Sequence, residues 1–442
     1  MSTYDVSDTR RPRRGGTRLL VALLLAALLS GCSDGTRAPS AGSSSPPTSP
    51  RSTASDSSSD SPPRPMSPHR LDKLNGFLEK VEVVDRVSPG FELRDVDYTS
   101  PTDAVAHFLD ARIARVDLGS IIATTDDNWA HSARIRISWD LADLVDYLPL
   151  GKGAVAIKAQ DQFPRRSYPP FVLYPDGQTK PLRVAAPRTL ETDHEVLGAG
   201  VDSLFGLMTE LPAGLWAADV DAAEIFPTTA PLSPSGYVRQ HLPGRGDTLM
   251  NVLDHRRVGG GVWRFETSTN AGRSWERTDV RLPLGRKRTA DAVTHAVGPG
   301  RRQALAMSHA WEDLPLYMWE LWWTDDEEDF RRVRLPWDRL RFGGMAFASD
   351  GALLLAEVEG SDHYCDQLTC NRPGRVWRLA SGDSTPELLP KAPKLFGPFW
   401  AVGIRFSGGL IVARTGMRTI AISKDGRTWS QVTPGRRDVT QR

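Results

Sequence analysis

Ser268-Thr269-Asn270-Ala271-Gly272-Arg273-Ser274-Trp275 and Ser423-Lys424-Asp425-Gly426-Arg427-Thr428-Trp429 are two versions of one pattern. Each opens on a serine, places an Asn or Asp two residues later, continues through a glycine, and ends on a hydroxyl residue followed by tryptophan. The second version is one residue shorter. Thr324-Asp325-Asp326-Glu327-Glu328-Asp329-Phe330 reads as a decayed copy with the shorter spacing. The residue types suit a tight hairpin, in which backbone N–H groups are left without ladder partners and an Asx side chain accepts from them. Glycine supplies a positive φ. The closing Trp or Phe restarts a strand and buries a large apolar face. Asn270 keeps the acceptor oxygen, so its turn is expected to form without the charge.

Moving outward, three segments of the second half share an ending, two of them just after these patterns. Arg281-Leu282-Pro283, Arg334-Leu335-Pro336 and Leu388-Leu389-Pro390 place prolines 53 and 54 residues apart, and Pro434 follows after 44 more. A period near 50 residues filled with four short strands is what one propeller blade requires, because a single blade cannot bury both its faces alone. The chain from about Leu71 onward is rich in Gly and Pro, with short β-branched or aromatic runs between turn signals. Phe171-Val172-Leu173-Tyr174 before Pro175-Asp176-Gly177, and Ala352-Leu353-Leu354-Leu355 after Ser349-Asp350-Gly351, are examples. Leu71, Leu74, Leu78 and Val81 mark a short helix, while Ala104 to Ala114 reads as helix or strand. The expectation is an all-β chain, a β-propeller of roughly seven blades with six as the alternative. It occupies residues 70–442.

The first segment matches the Asp-box pattern Ser-x-Asp-x-Gly-x-Thr-Trp with Asn for Asp and Ser for Thr, the second is a version one residue shorter, and the third is a weak copy. They resemble the bacterial neuraminidase repeat shared by sialidases, sortilin-type receptors and photosystem-assembly propellers. The resemblance covers roughly residues 240 to 435. It implies a propeller whose boxes lie on outer hairpins, away from the central pocket. It does not carry a chemistry with it.

A sialidase-like hydrolase would need three arginines clamping a carboxylate, a tyrosine nucleophile with a glutamate base, and an aspartate acid/base. The Arg-Ile-Pro signature that usually bears the first arginine is absent, and no tyrosine follows Tyr364. Arginine abundance is no sign of a clamp, because only nine of the 55 basic residues are lysine, a bias of the whole chain. Gly-x-Ser-x-Gly, His-Glu-x-x-His and phosphate-loop motifs are absent too. Gly259-Gly260-Gly261 reads as a hairpin turn rather than a phosphate cradle. The acidic run Asp325 to Asp329 reads as a solvated hairpin tip rather than a calcium site. No catalytic residue, metal or cofactor is expected. Among Trp311, Tyr317, Trp319, Trp322 and Trp323, strand alternation puts the last two on opposite faces, so at least one belongs to the core. Trp311 and Tyr317 remain as the candidate binding surface for a glycan, peptide or protein.

The N-terminus carries an address. Arg10, Arg11, Arg13, Arg14 and Arg18 precede 11 apolar residues, Leu19 to Leu29, and then Ser30-Gly31-Cys32. Eleven residues make about 16 Å of helix, too short for a hydrocarbon layer of roughly 30 Å, and the three regions are those of a signal peptide. Leu29-Ser30-Gly31-Cys32 resembles the lipobox of bacterial lipoproteins. That resemblance implies cleavage of residues 1–31 and a diacylglyceryl group on Cys32, two chains that suffice for stable attachment to the membrane. The expected location is the extracytoplasmic face of the cell membrane. Residues 32–69 then form a Ser/Pro-rich tether without an aromatic side chain, too polar to offset its ordering entropy. Cys365 and Cys370, four residues apart, are an even pair in an exported chain, and a disulfide between them would add about 2 kcal/mol. A metal site with neighbouring Asp362 and His363 is the alternative, but it lacks a second ligand pair. With 55 basic against 54 acidic residues, the chain has no electrostatic footprint for nucleic acid. The function these features imply is a membrane-anchored, non-catalytic binding or scaffold module, with a sialidase-like glycoside hydrolase as the alternative.

Overall fold

The computed structural model describes residues 66–110, 119–142, 144–161, 166–191, 194–198, 215–229, 240–241, 249–253, 262–270, 272–282, 292–300, 302–309, 317–326, 328–335, 340–357, 374–395 and 403–436. Among them one helix, Pro68–Leu78, precedes a succession of short strands. Proline at its first turn suits the start, where a missing N–H is harmless. No described helix is long and apolar enough to cross a membrane. Ala104–Asp110, ambiguous in the sequence, is a strand.

The strands form six sheets in chain order, all antiparallel apart from one two-residue parallel pair, Arg183–Val184 beside Glu224–Pro227. Five sheets have four or five strands. The sixth has eight and joins two four-stranded groups through a short pairing, Tyr317 with Arg341 and Met318 with Leu340. The described strands thus fall into seven consecutive groups.

Central strands of these groups are apolar on both sides because each sheet is sandwiched between two others. Adjacent residues of a strand point to opposite faces, and here they enter different cores. Ile121 packs with Phe91, Val96 and Val412, whereas Ile122 packs with Val105, Val155 and Phe171. Trp322 joins Trp263 and Phe265, and its neighbour Trp323 joins Phe347 and Leu355. Both tryptophans are therefore core. Leu353 and Leu355 face one core, Leu354 and Ala356 the next. Seven clusters follow one another in this way, each lying between successive groups, and the last packs Leu410, Val412, Ile420 and Ile422 of the final group against Leu93, Tyr98 and Phe108 of the first. The ring closes. That is a β-propeller, and its innermost strands lie against one another around the axis, with Ala292–Val297 beside Leu340–Phe347 and the latter beside Ile404–Ser407.

Among the described residues no strand is exchanged between the first and last sheets. The Leu93 N–H donates to the Met417 carbonyl at 2.7 Å. The Ser407 hydroxyl accepts from the Tyr98 N–H at 2.9 Å and donates to the Tyr98 carbonyl at 3.0 Å. Arg134 donates to the Gly435 carbonyl at 3.1 Å, and Arg418 donates to the Val87 carbonyl. Gly408, at φ +56°, lets the final group come close, since a Cβ there would lie 2.5 Å from the Tyr98 Cβ.

The helix is pinned over the joint between the first and second groups. Leu74 and Phe77 enter that core, the Phe77 ring lies tilted with its centroid 4.3 Å from that of Tyr168, and the Lys73 ammonium donates to the Ser167 carbonyl at 2.9 Å. Phe77→Ala should lower the unfolding free energy by about 3–5 kcal/mol, read from urea denaturation. A loss below about 1 kcal/mol would mean that the helix is not part of the core.

Candidate functional site

Three innermost strands bring polar side chains together near the axis. In Phe91–Tyr98 the pairing register shifts between Leu93 and Asp95, with Arg94 as the extra residue. The bulge re-aims the strand so that Val96 and Tyr98 stay in the closing core while Asp95 and Asp97 take the other face. Arg405, from Ile404–Ser407, meets both carboxylates with one nitrogen. Its Nη2 lies 2.6 Å from Asp95 Oδ1 and 3.1 Å from Asp97 Oδ1, and it also donates to the Val96 carbonyl. Tyr147, from Leu144–Gly151, donates its hydroxyl to Asp97 Oδ2 at 2.9 Å. Its ring edge meets His107 at 5.4 Å, and His107 Nε2 lies 3.2 Å from Ser120 Oγ.

Burial pushes the Asp97 carboxyl above the ordinary carboxylate range. Arg405 opposes that shift, and Asp95 adds to it. Burial also works against the Arg405 charge, but Asp97 and Asp95 outweigh it and raise the guanidinium above its usual value. The Tyr147 hydroxyl is raised by burial and by the same two carboxylates, so it stays a donor. Burial, aided by Arg94, brings His107 down to about 4, which leaves a neutral imidazole at pH 7. This group can hold and share a proton. Both its carboxylates are bound to the same cation.

The three patterned hairpins join third and fourth strands of their groups. Asn270 Oδ1 accepts from the Ser274 N–H at 2.9 Å, while Ser268 Oγ accepts from Gly272 N–H at 2.8 Å. Asp425 Oδ1 accepts from the N–H groups of Arg427 and Thr428, both at 2.8 Å. Asp326 Oδ1 takes those of Glu328 and Asp329 at 3.0 and 2.9 Å. Such bonds favour the ionised form and hold Asp425 and Asp326 at about 2. These acids serve their own turns. Asp325, in the same acidic run, is bonded by Arg302, Arg331 and Ser381. Among the described residues no group of three or more His, Cys, Asp or Glu side chains is arranged to hold a metal ion.

A fourth hairpin of this kind is hidden in the sequence. Thr125 Oγ1 accepts from the Trp129 N–H at 3.1 Å, and Asp127 Oδ1 accepts from the His131 N–H at 2.8 Å. Trp129 thus stands where Gly272 does, and its φ is +72° beside +81° for the glycine. The buried indole compensates for that backbone by donating to the Tyr98 hydroxyl at 3.0 Å. Thr-x-Asp ahead of the tryptophan was the only signal.

Of the residues singled out in the sequence, Tyr317 opens the strand Tyr317–Thr324, with its main chain paired to His309 and Arg341. Trp311, Cys32, Cys365 and Cys370 lie outside the described residues. Asp95, Asp97, Tyr147 and Arg405 escaped notice because no motif links them. The alternating charges of Arg94-Asp95-Val96-Asp97 on an otherwise buried strand were the available hint.

No family model matches the chain, and no curated protein matches it. Solved structures do. The GH74 xyloglucanase from Xanthomonas campestris is 15% identical over 81% of this chain and 56% of its own, with a TM-score of 0.38. This chain therefore spans little more than half of that enzyme. YCF48 from Cyanidioschyzon merolae is 11% identical, over 80% of this chain and 88% of its own, with a TM-score of 0.29. Virginiamycin B lyase from Staphylococcus aureus is 10% identical, over 80% and 88%, with a TM-score of 0.26. Their common feature is the β-propeller. At such identities the likeness extends to the fold alone, and these propellers include both enzymes and proteins named for no reaction.

The raised Asp97 carboxyl makes a pH prediction. The native state holds that proton more tightly than the unfolded chain, so the group's contribution is full below its unfolded value of 3.8 and is lost as pH rises through the raised native value. Asp97→Asn should flatten the dependence of the denaturation midpoint on pH from about 4 upward. Parallel profiles for the two proteins would show that Asp97 titrates as a solvent-exposed acid.

Proposed function

We propose that this protein is an exported lipoprotein whose β-propeller is a non-catalytic binding or scaffold module for a glycan, peptide or envelope protein. Lipid on Cys32 would hold it at the extracytoplasmic face of the cell membrane, with residues 32–69 as the tether. In this reading the seven strand groups are seven blades, and the hairpins at 268–275, 324–330 and 423–429, with that at 125–131, are Asp-box repeats. Cys365 and Cys370 form a disulfide, and Trp311 and Tyr317 contribute to the ligand-binding face.

The observation that supports a non-catalytic centre is the pairing of Asp95 and Asp97 to the same nitrogen of Arg405, with Tyr147 bonded to Asp97. Glycoside hydrolysis needs two carboxyl groups flanking the bond, one of them free to give a proton. Sialidase chemistry needs arginines free to clamp the substrate, and this guanidinium is occupied by the chain's own acids.

Two experiments test the reading. Cys32→Ser should move the protein from the membrane fraction to the medium, whereas unchanged retention would remove the lipid anchor from the proposal. Purified protein should leave sialoside and xyloglucan substrates intact over hours. Turnover that is lost in Asp97→Asn would establish the hydrolase alternative.

A further inference from the structure

We propose that the seam between the first and seventh strand groups is the ring's built-in opening point, latched from the axial side by Arg405. This inference rests on the architecture of the ring and is independent of the ligand-binding role.

Other junctions have continuous main chain across them. The fifth and sixth groups share one eight-stranded sheet, and the strand Arg183–Val184, which serves as an edge of the third group, begins two residues after Thr179–Pro181 of the second. At the seam the two groups are more than 250 residues apart in the chain. They are joined by the apolar cluster, by the Leu93-to-Met417 main-chain bond, and by side chains that bond to main chain. Arg134, Arg405 and Arg418 each donate from one terminal group to carbonyls belonging to the other terminal segment. The bonds from Arg405 and Arg418 are only part-buried, so water can take the donor's place there more readily than at the buried bond from Arg134.

Arg405 differs from the other two. It bonds the Val96 carbonyl and, with the same nitrogen, holds Asp95 and Asp97 on the strand it stitches. Side-chain exposures of 27% for Arg405, 45% for Asp95 and 32% for Asp97 mean that the charges are partly desolvated yet reachable from the axis. If Arg405 withdraws, two neighbouring carboxylates lose the cation bonded to them, and their hydration favours separation of the strands. The apolar cluster behind these strands resists full separation, so the opening is local and confined to the axial edge of the seam. Ser407 supports the closed arrangement through its paired bonds to Tyr98.

Hydrogen–deuterium exchange with mass spectrometry on the intact chain tests this. Peptides covering 91–98 and 404–414 should exchange about tenfold faster than those covering 303–309 and 353–357, as expected for a local opening below the global unfolding limit. Arg405→Met should accelerate the seam peptides by about another tenfold and leave the two reference peptides unchanged. Ser407→Ala, which removes two bonds and no charge, should act in the same direction and serves if the first variant does not fold. Arg331→Met, which alters a surface arginine of the fifth group, should leave the seam as it is. Equal protection of seam and reference peptides in the native protein, or acceleration of every group together in the variants, would overturn the proposal.

Discussion

A sheet with apolar residues on both faces cannot stand alone, and that constraint organises this molecule. In each central strand consecutive side chains enter different cores, as Ile121 and Ile122 or Trp322 and Trp323 do. Every group thus needs a neighbour on each side. A linear stack would leave two apolar faces exposed to water at its ends. Turning the stack into a ring removes both ends at once, and the burial of Leu410, Val412, Ile420 and Ile422 against the first group is what makes the remaining interfaces satisfiable.

The polar groups near the axis follow from the same closure. When the last group meets the first, its innermost strand brings Arg405 beside Asp95 and Asp97, and the second group supplies Tyr147. Desolvation raises Asp97, and the guanidinium holds the pair together. Elsewhere the acids do local work at hairpin tips, where backbone N–H groups depress Asp326 and Asp425. One residue type thus shows opposite shifts in one fold, according to whether burial or hydrogen bonding dominates.

Much of the fold is legible in the sequence. The hairpin patterns at 268–275 and 423–429 and the turns at Gly177 and Gly351, both at φ +85°, fall where the sequence placed them. These are local signals, fixed by a few consecutive residues. The hairpin at 125–131 was hidden because a tryptophan occupies the left-handed position and its support, the Tyr98 hydroxyl, comes from another strand. The axial group was illegible for the same reason on a larger scale. Asp97, Tyr147 and Arg405 become neighbours only through ring closure, which no local spacing encodes. Tyr317, chosen from the sequence, has a defined main chain, whereas Trp311 and the cysteine pair fall outside the described residues.

The placement of the helix Pro68–Leu78 has a mechanical side. Everything N-terminal to the propeller enters it through this helix, which is fastened by Leu74, Phe77 and Lys73 over the joint between the first and second groups. A pull arriving along that chain is resisted first by the helix and by a joint whose two halves are continuous in sequence. That joint is distinct from the junction of the first and last groups, which is held by the cluster around Tyr98 and Leu410. The polypeptide therefore takes up tension on the side of the ring where the backbone itself is the cable.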